Sequence, residues 1–276
     1  MNMAAIFAES RQLPHIPKVV QELIETFRDE NANVDLIGKK VAMDAALTAK
    51  VLRLANSAHF GLSRTIAKPQ DAVVMLGFSA LRTMVLASGV TSAIKTPPHF
   101  DQKGFWRDSF AVASLAKWLA AYMPNCDKEM AFTCGMLHSI GTLLILVVLP
   151  DQSSSIEASV RLGGTRLSAE IAELGYSSAD VGAELAKRWK FPEEIQDAIQ
   201  QQDNPGNGDS YSAMAGLIYI ARFLHKAHKE DWTEEELIEK FPIRIATRIG
   251  LDIRRIRTDL ANCKDLESGF EEILNG

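Results

Sequence analysis

Cysteine is scarce in this chain. There are three, Cys126, Cys134 and Cys263, scattered and without a C-x-x-C pair. A core available to 276 residues needs no disulfides. The N-terminus MNMAAIFAESRQ has no basic segment followed by a long apolar one, so it carries no secretory signal. Both absences fit a reducing, cytoplasmic setting. Long hydrophobic runs are missing too: the longest, Leu143 to Leu149 (LLILVVL), is far short of the ~20 residues that cross a bilayer. It reads as part of a buried core helix, and no membrane partner is expected. A basic excess is also lacking. Lys and Arg number 30 against 35 Asp and Glu, a net charge of -5, which argues against nucleic acid as a partner drawn by overall charge. No glycine-rich segment matches a phosphate loop or dinucleotide fingerprint, no G-x-S-x-G elbow occurs, and Cys134 has no paired-base signature. Alternating strand patterns bounded by hairpin turns are absent.

What is present is helical periodicity. Pro14 and Pro17 precede Val20, Leu23, Ile24 and Phe27, which recur at helical spacing. Asp44 is placed to cap a helix with Leu47, Val51 and Ala58 on one face. Ser79 is placed to cap the segment that follows Leu76-Gly77, and Pro97-Pro98 breaks the chain after it. A long helix is expected over 105–123, and Asp127 can cap the next. The polar stretch Gln200 to Ser210 reads as a loop. Thr233 to Glu236 is a capping-box pattern, and two short helices split near Gly250 close the chain. The fold class is all-α and multi-helical, its apolar faces packing on each other.

Four segments in order, LPHIPKVVQELIE, LTAKVLRLANSAHFG, AVVMLGFSALRTMVL and AFTCGMLHSIGTLLI, are followed by ELGYSSADVGAELAKRWKFPEEIQDAI. Together they resemble the HDOD domain, the HD-related output domain of bacterial signalling proteins, over residues 13–205. The resemblance implies an HD-like fold with an N-terminal helical lobe (13–96) and an HD-like lobe (101–205), residues 210–276 completing the same unit. It also implies kinship with HD-type phosphohydrolases, whose histidines and aspartates on several helices hold divalent metal. Aligned with that pattern, the first histidine falls on Ser109, the HD pair on His138-Ser139, a further histidine on Ser178 and the last aspartate on Arg222. Paired histidines after the last matched helix fall within Gln200-Gln201-Gln202.

A catalytic metal needs about three protein ligands and an open position. Here one imidazole survives, Ser139 brings no charge, and Arg222 places a fixed cation where the metal would sit. The expectation is no catalytic residue, no metal and no cofactor, with Ser109, His138, Ser139, Ser178 and Arg222 as a vestigial cleft. His138 reads either as a structural histidine at a helix junction or as a residual ligand contact. Ser139 reads as a local turn former or a pocket-lining group. Asn56, Ser57 and His59 read either as helix-ending residues or as a polar groove for a partner. Arg244, Arg248, Arg254, Arg255 and Arg257 read as a solvated face or an anion patch. His225 and His228, three apart, read as solvated.

The motif begins near the start of the sequence, so no fused receiver, cyclase or phosphodiesterase domain is expected ahead of it. The expected function is therefore a non-catalytic output module acting in trans, through a signalling protein or a small molecule, with a shift between lobes at Thr96-Pro97-Pro98 as one mechanism. Two rivals stand beside it. One is a divergent metal phosphohydrolase that recruits Asp101, Asp108 or Asp180; the other binds nucleotide or nucleic acid through the arginine patch.

Overall fold

The helix signals become seventeen α-helices and no strand among the described residues, which in this computed structural model are 3–8, 14–25, 34–56, 65–98, 100–206 and 211–259. The first group comprises α1 (Ala4–Ala8), α2 (Lys18–Glu25), α3 (Val34–Ala42), α4 (Ala45–Ala55), α5 (Pro69–Leu76) and α6 (Phe78–Ala93). The cap expected at Asp44 forms, its Oδ1 accepting from Leu47 N at 3.0 Å. The start of α6 differs from the expected cap at Ser79. The helix begins at Phe78, and its N-cap is Gly77 at φ 87°, with no side-chain cap. Glycine adopts that left-handed backbone without steric cost, so the turn between α5 and α6 is made by the backbone alone.

α6 is buried at every residue from Ala80 to Val90. A helix apolar on all sides has to be enclosed. It packs on α2, α4 and α5 on one side and on α8 (Lys128–Leu137) on the other. Each fully buried Leu, Val or Met here contributes roughly 1.5–3 kcal/mol relative to exposure.

The second group contains α7 (Gln102–Ala120), α8, α9 (Ile140–Val148), α10 (Pro150–Arg161), α11 (Arg166–Leu174), α12 (Ser178–Arg188) and α13 (Glu193–Gln200). Asp101 caps α7 through Gly104 N, and Asp127 caps α8 through Glu129 N and Met130 N. α7 packs on α8, and α12 packs on both α9 and α13. The last helices are α14 (Ala213–Lys229), α15 (Glu234–Lys240), α16 (Ile243–Arg248) and α17 (Ile253–Asp259). α14 lies against α7, α8 and α13. The capping box at Thr233 and Glu236 is present. The N-terminus reaches the end of α12, where Trp189 Nε1 donates to Pro14 O at 3.3 Å and the Arg188 guanidinium sits 4.4 Å from the Phe7 ring centre.

The apolar stretch around Leu143–Leu149 is longer than that run alone suggests. Lys128–Val148 has the length and hydropathy of a membrane span, yet 67% of its window is buried in the protein, and a turn at His138-Ser139 divides it into α8 and α9.

Candidate functional site

The turn at His138-Ser139 is the centre of the site, and two glycines determine what surrounds it. Gly135 on α8 lies so near α7 that a β-carbon there would stand 2.6 Å from Ala113 Cα. Gly141 on α9 lies so near α12 that a β-carbon would stand 1.9 Å from Ser178 O and 2.6 Å from Gly182 N. These close approaches set Ser109 of α7 and Ser178 of α12 in the same cleft as the histidine. Arg222 of α14 completes the set, because α14 packs along α7.

All five residues line one cleft of about 790 Å³. The Ser109 and Ser139 hydroxyls share a hydrogen bond of 3.0 Å, and Ser109 also donates to Phe105 O. His138 Nδ1 lies 2.6 Å from Gly135 O. A carbonyl can only accept, so Nδ1 carries the proton and Nε2 of the neutral ring is left as an acceptor. Burial, then the positive charge of Arg222, pushes the His138 pKa down to about 3. The histidine is therefore a neutral group at the floor of the cleft.

Gln202 belongs to the stretch aligned with the paired histidines and Asp108 is one of the rival ligands, whereas Asp203 and Glu170 escaped the sequence reading. Gln202, 3% exposed, donates to His138 O at 2.7 Å and to Ile199 O at 2.9 Å. Asp203 holds Arg222 NH1 at 2.7 Å. Glu170, 1% exposed, accepts from Ser178 N at 2.7 Å and occupies the N-terminus of α12, where a carboxylate is favoured; its pKa is nevertheless raised by burial. His225 is not solvated as expected. Its side chain is 15% exposed and its Nε2 lies 3.5 Å from Asp108 Oδ1. Lys229 Nζ lies 2.6 Å from Asp108 Oδ2. Burial alone would raise the Asp108 pKa, but the hydrogen bonds from His225 and Lys229 outweigh it and bring the carboxyl to about 2. Arg222, His225, Lys226 and Lys229 recur three or four apart and share one face of α14. That spacing was the one signal in the sequence that could have placed His225 in the cleft.

The residues present do not fit a divalent metal. Among the described residues no three His, Cys, Asp or Glu side chains converge. The carboxylates at the cleft are already held by protein cations or by a helix N-terminus. The three aspartates that could have replaced lost ligands have other roles: Asp101 caps α7, Asp108 pairs with Lys229, and Asp180 forms a capping box with Ser177.

The other candidate residues lie elsewhere. Ser57 and His59 fall outside the described residues, as does the side chain of Arg257. The Asn56 amide donates to Leu52 O and to Ile66 O, both at 2.8 Å, and accepts from Ile66 N at 2.6 Å. It ties the end of α4 to the chain entering α5. Asn56→Ala is expected to lower stability by ~1–2 kcal/mol, since it orphans both backbone groups of Ile66; urea denaturation checks this. Of the arginines, Arg248 stacks 4.1 Å from the Tyr211 ring centre and donates to Gly206 O, and Arg255 lies 5.4 Å from the Tyr122 ring. Arg244 and Arg254 are exposed.

The sequence matches the HDOD domain family over residues 13–205. It is 34% identical to a crystal structure named "Putative phosphohydrolase" from Shewanella amazonensis, which covers 99% of both chains with a TM-score of 0.84. It is 21% identical to one named "Putative signal transduction protein" from Marinobacter aquaeolei, covering 98% of this chain and 61% of that one with a TM-score of 0.79. An uncharacterized protein of Treponema pallidum is 25% identical over 98% of this chain, which spans about half of that relative's length (52%).

Proposed function

The chain belongs to the HDOD domain family, and on that premise we propose that it is a non-catalytic signalling module which acts by binding a small molecule or a partner protein. The observation that carries this reading is the donor set of the cleft. In HD-type hydrolases a metal activates water and neutralises phosphate charge. Here the corresponding positions hold two serines sharing a hydrogen bond, a neutral histidine, and an arginine already paired with Asp203. What remains is a preformed cavity, with polar and charged side chains set in a largely apolar surface, within the size range of small-ligand sites. The name of the Marinobacter relative, "Putative signal transduction protein", supports the same class of role; that of the Shewanella relative, "Putative phosphohydrolase", favours the hydrolase alternative.

The two readings separate in one experiment. Protein purified after growth with added manganese and iron is expected to hold well under one equivalent of metal. Its rate on bis-p-nitrophenyl phosphate should stay at background, unaltered by His138→Ala. Stoichiometric metal, with a hydrolysis rate that His138→Ala abolishes, would reverse the assignment.

A further inference from the structure

The protons on the floor of the cleft are all directed into the protein. His138 Nδ1–H donates to Gly135 O at 2.6 Å, so the neutral ring keeps a lone pair on Nε2. Gln202 gives both amide protons away, to His138 O at 2.7 Å and to Ile199 O at 2.9 Å. Those two carbonyls fix the orientation of the amide and leave Oε1 as an acceptor. Ser109 donates its single proton to Phe105 O. In the 3.0 Å contact between the two serines Ser139 is therefore the donor, and its own oxygen keeps lone pairs. That oxygen does not cap α9, the common use of a serine at a helix start.

No described residue donates to His138 Nε2 or to Gln202 Oε1, and neither atom is closed to solvent. Both residues line the cavity, Gln202 although it is only 3% exposed. Polar atoms so deeply set are almost always partnered. Three acceptors thus share one floor with no donor among them, and this selects the chemistry of a ligand. A phosphate or carboxylate would set its lone pairs against theirs, and the cations Arg222 and Lys229 are already held by Asp203 and Asp108. An ammonium would meet the positive charge of Arg222 in the same cavity. A polyol would press hydroxyls against Phe105, Val112 and Leu167, where they lose hydrogen bonds. A flat uncharged heterocycle suits both surfaces, with N–H donors on its edge and apolar faces.

We propose that the floor of the cleft binds an uncharged nitrogen heterocycle through adjacent ring and amino N–H donors, received by His138 Nε2, Ser139 Oγ and Gln202 Oε1, with its faces against Phe105, Val112 and Leu167. A cavity of about 790 Å³ leaves room for substituents on the ring. The inference rests on the reading of the cleft as a binding site without metal.

Calorimetric titration of the full chain with 2,6-diaminopurine, uncharged near neutral pH, tests this, with metal content measured on the same sample. Saturable binding at one site is expected, little changed by salt, because no net charge is screened. Unsubstituted purine keeps the ring and lacks both amino groups; it should bind about tenfold more weakly, since acceptors desolvated without a donor oppose binding. His138→Asn keeps a donor for Gly135 O and removes Nε2, and should weaken diaminopurine binding about tenfold. Ser139→Ala removes a second acceptor and should weaken it as well; circular dichroism checks that each variant is folded. A metal-free sample that shows no saturable binding overturns the inference and leaves the non-catalytic reading standing. So does equal affinity for purine or inorganic phosphate, or unaltered binding in both variants. Stoichiometric metal with a hydrolysis rate overturns the reading itself and the inference with it.

Discussion

Gly141→Ala is expected to remove ~3 kcal/mol or more of folding stability, at or beyond the upper end of ordinary overpacking costs. The added carbon would stand 1.9 Å from Ser178 O and 2.6 Å from Gly182 N. Both atoms belong to the backbone of α12, so no rotamer change relieves the clash, and the helices have to separate. Interiors are packed as densely as organic crystals, so that separation opens voids along the α9–α12 contact. Ser178 would move away from His138 in the same step, and the cleft would lose its shape along with the stability. Urea denaturation followed by circular dichroism measures the loss. A midpoint close to that of the unaltered protein would mean that the backbones of α9 and α12 do not touch in solution.

Acid is expected to destabilise the protein well above the range in which carboxylates titrate. The His138 pKa is about 3 in the folded chain, whereas an unfolded histidine titrates near ~6.5. Above pH ~6.5 the ring is neutral in both states and the stabilisation is fully present. As pH falls below that value the unfolded chain takes up a proton that the folded chain refuses. Stability then drops by about 1.4 kcal/mol per pH unit until the folded pKa is reached. Asp108 acts later and in the same direction. Its folded pKa of about 2 lies below the ordinary carboxylate value of ~3.9, so its contribution is present above that ordinary value and lost as pH falls toward 2. Glu170, raised by burial, takes up its proton first in the folded chain and works in the opposite direction, so the histidine is isolated by comparing the natural sequence with a His138 variant between pH ~6.5 and ~4. Urea midpoints across that window should slope steeply for the natural sequence and flatten in His138→Gln, whose amide can still donate to Gly135 O. An identical slope in the variant would show that the ring is not held neutral by its surroundings.

The fold was legible wherever local chemistry decides it. Asp44, Asp127 and Thr233 cap the helices that their positions predict, because a side-chain oxygen next to an apolar periodic run has few other uses. The start of α6 was misplaced because a glycine backbone, rather than the nearby serine, sets it. The site was legible only in part. Family-like segments contain His138, Ser139 and Ser178, the metal-ligand pattern of the family aligns onto Ser109 and Arg222 outside them, and the fold brings all five to one cleft. What they bond to could not be read. Asp203 lies 19 residues from its partner Arg222, Gln202 lies 64 from His138, and Lys229 lies 121 from Asp108. No periodicity relates positions so far apart; the helix packing alone decides those pairs. Glu170 was invisible for another reason. It sits in an amphipathic helix among other polar residues, and nothing in that pattern distinguishes a carboxylate that faces inward from one that faces water.

α6, enclosed on every side, has a consequence for how the molecule could ever be divided. A cut at the Pro97-Pro98 break would strip α8 from one side of it and hand that surface to water. The diproline is thus a joint in the chain but not in its thermodynamics. Loosening the helices on one side of α6 is expected to weaken the packing on the other, because both sides share this axle.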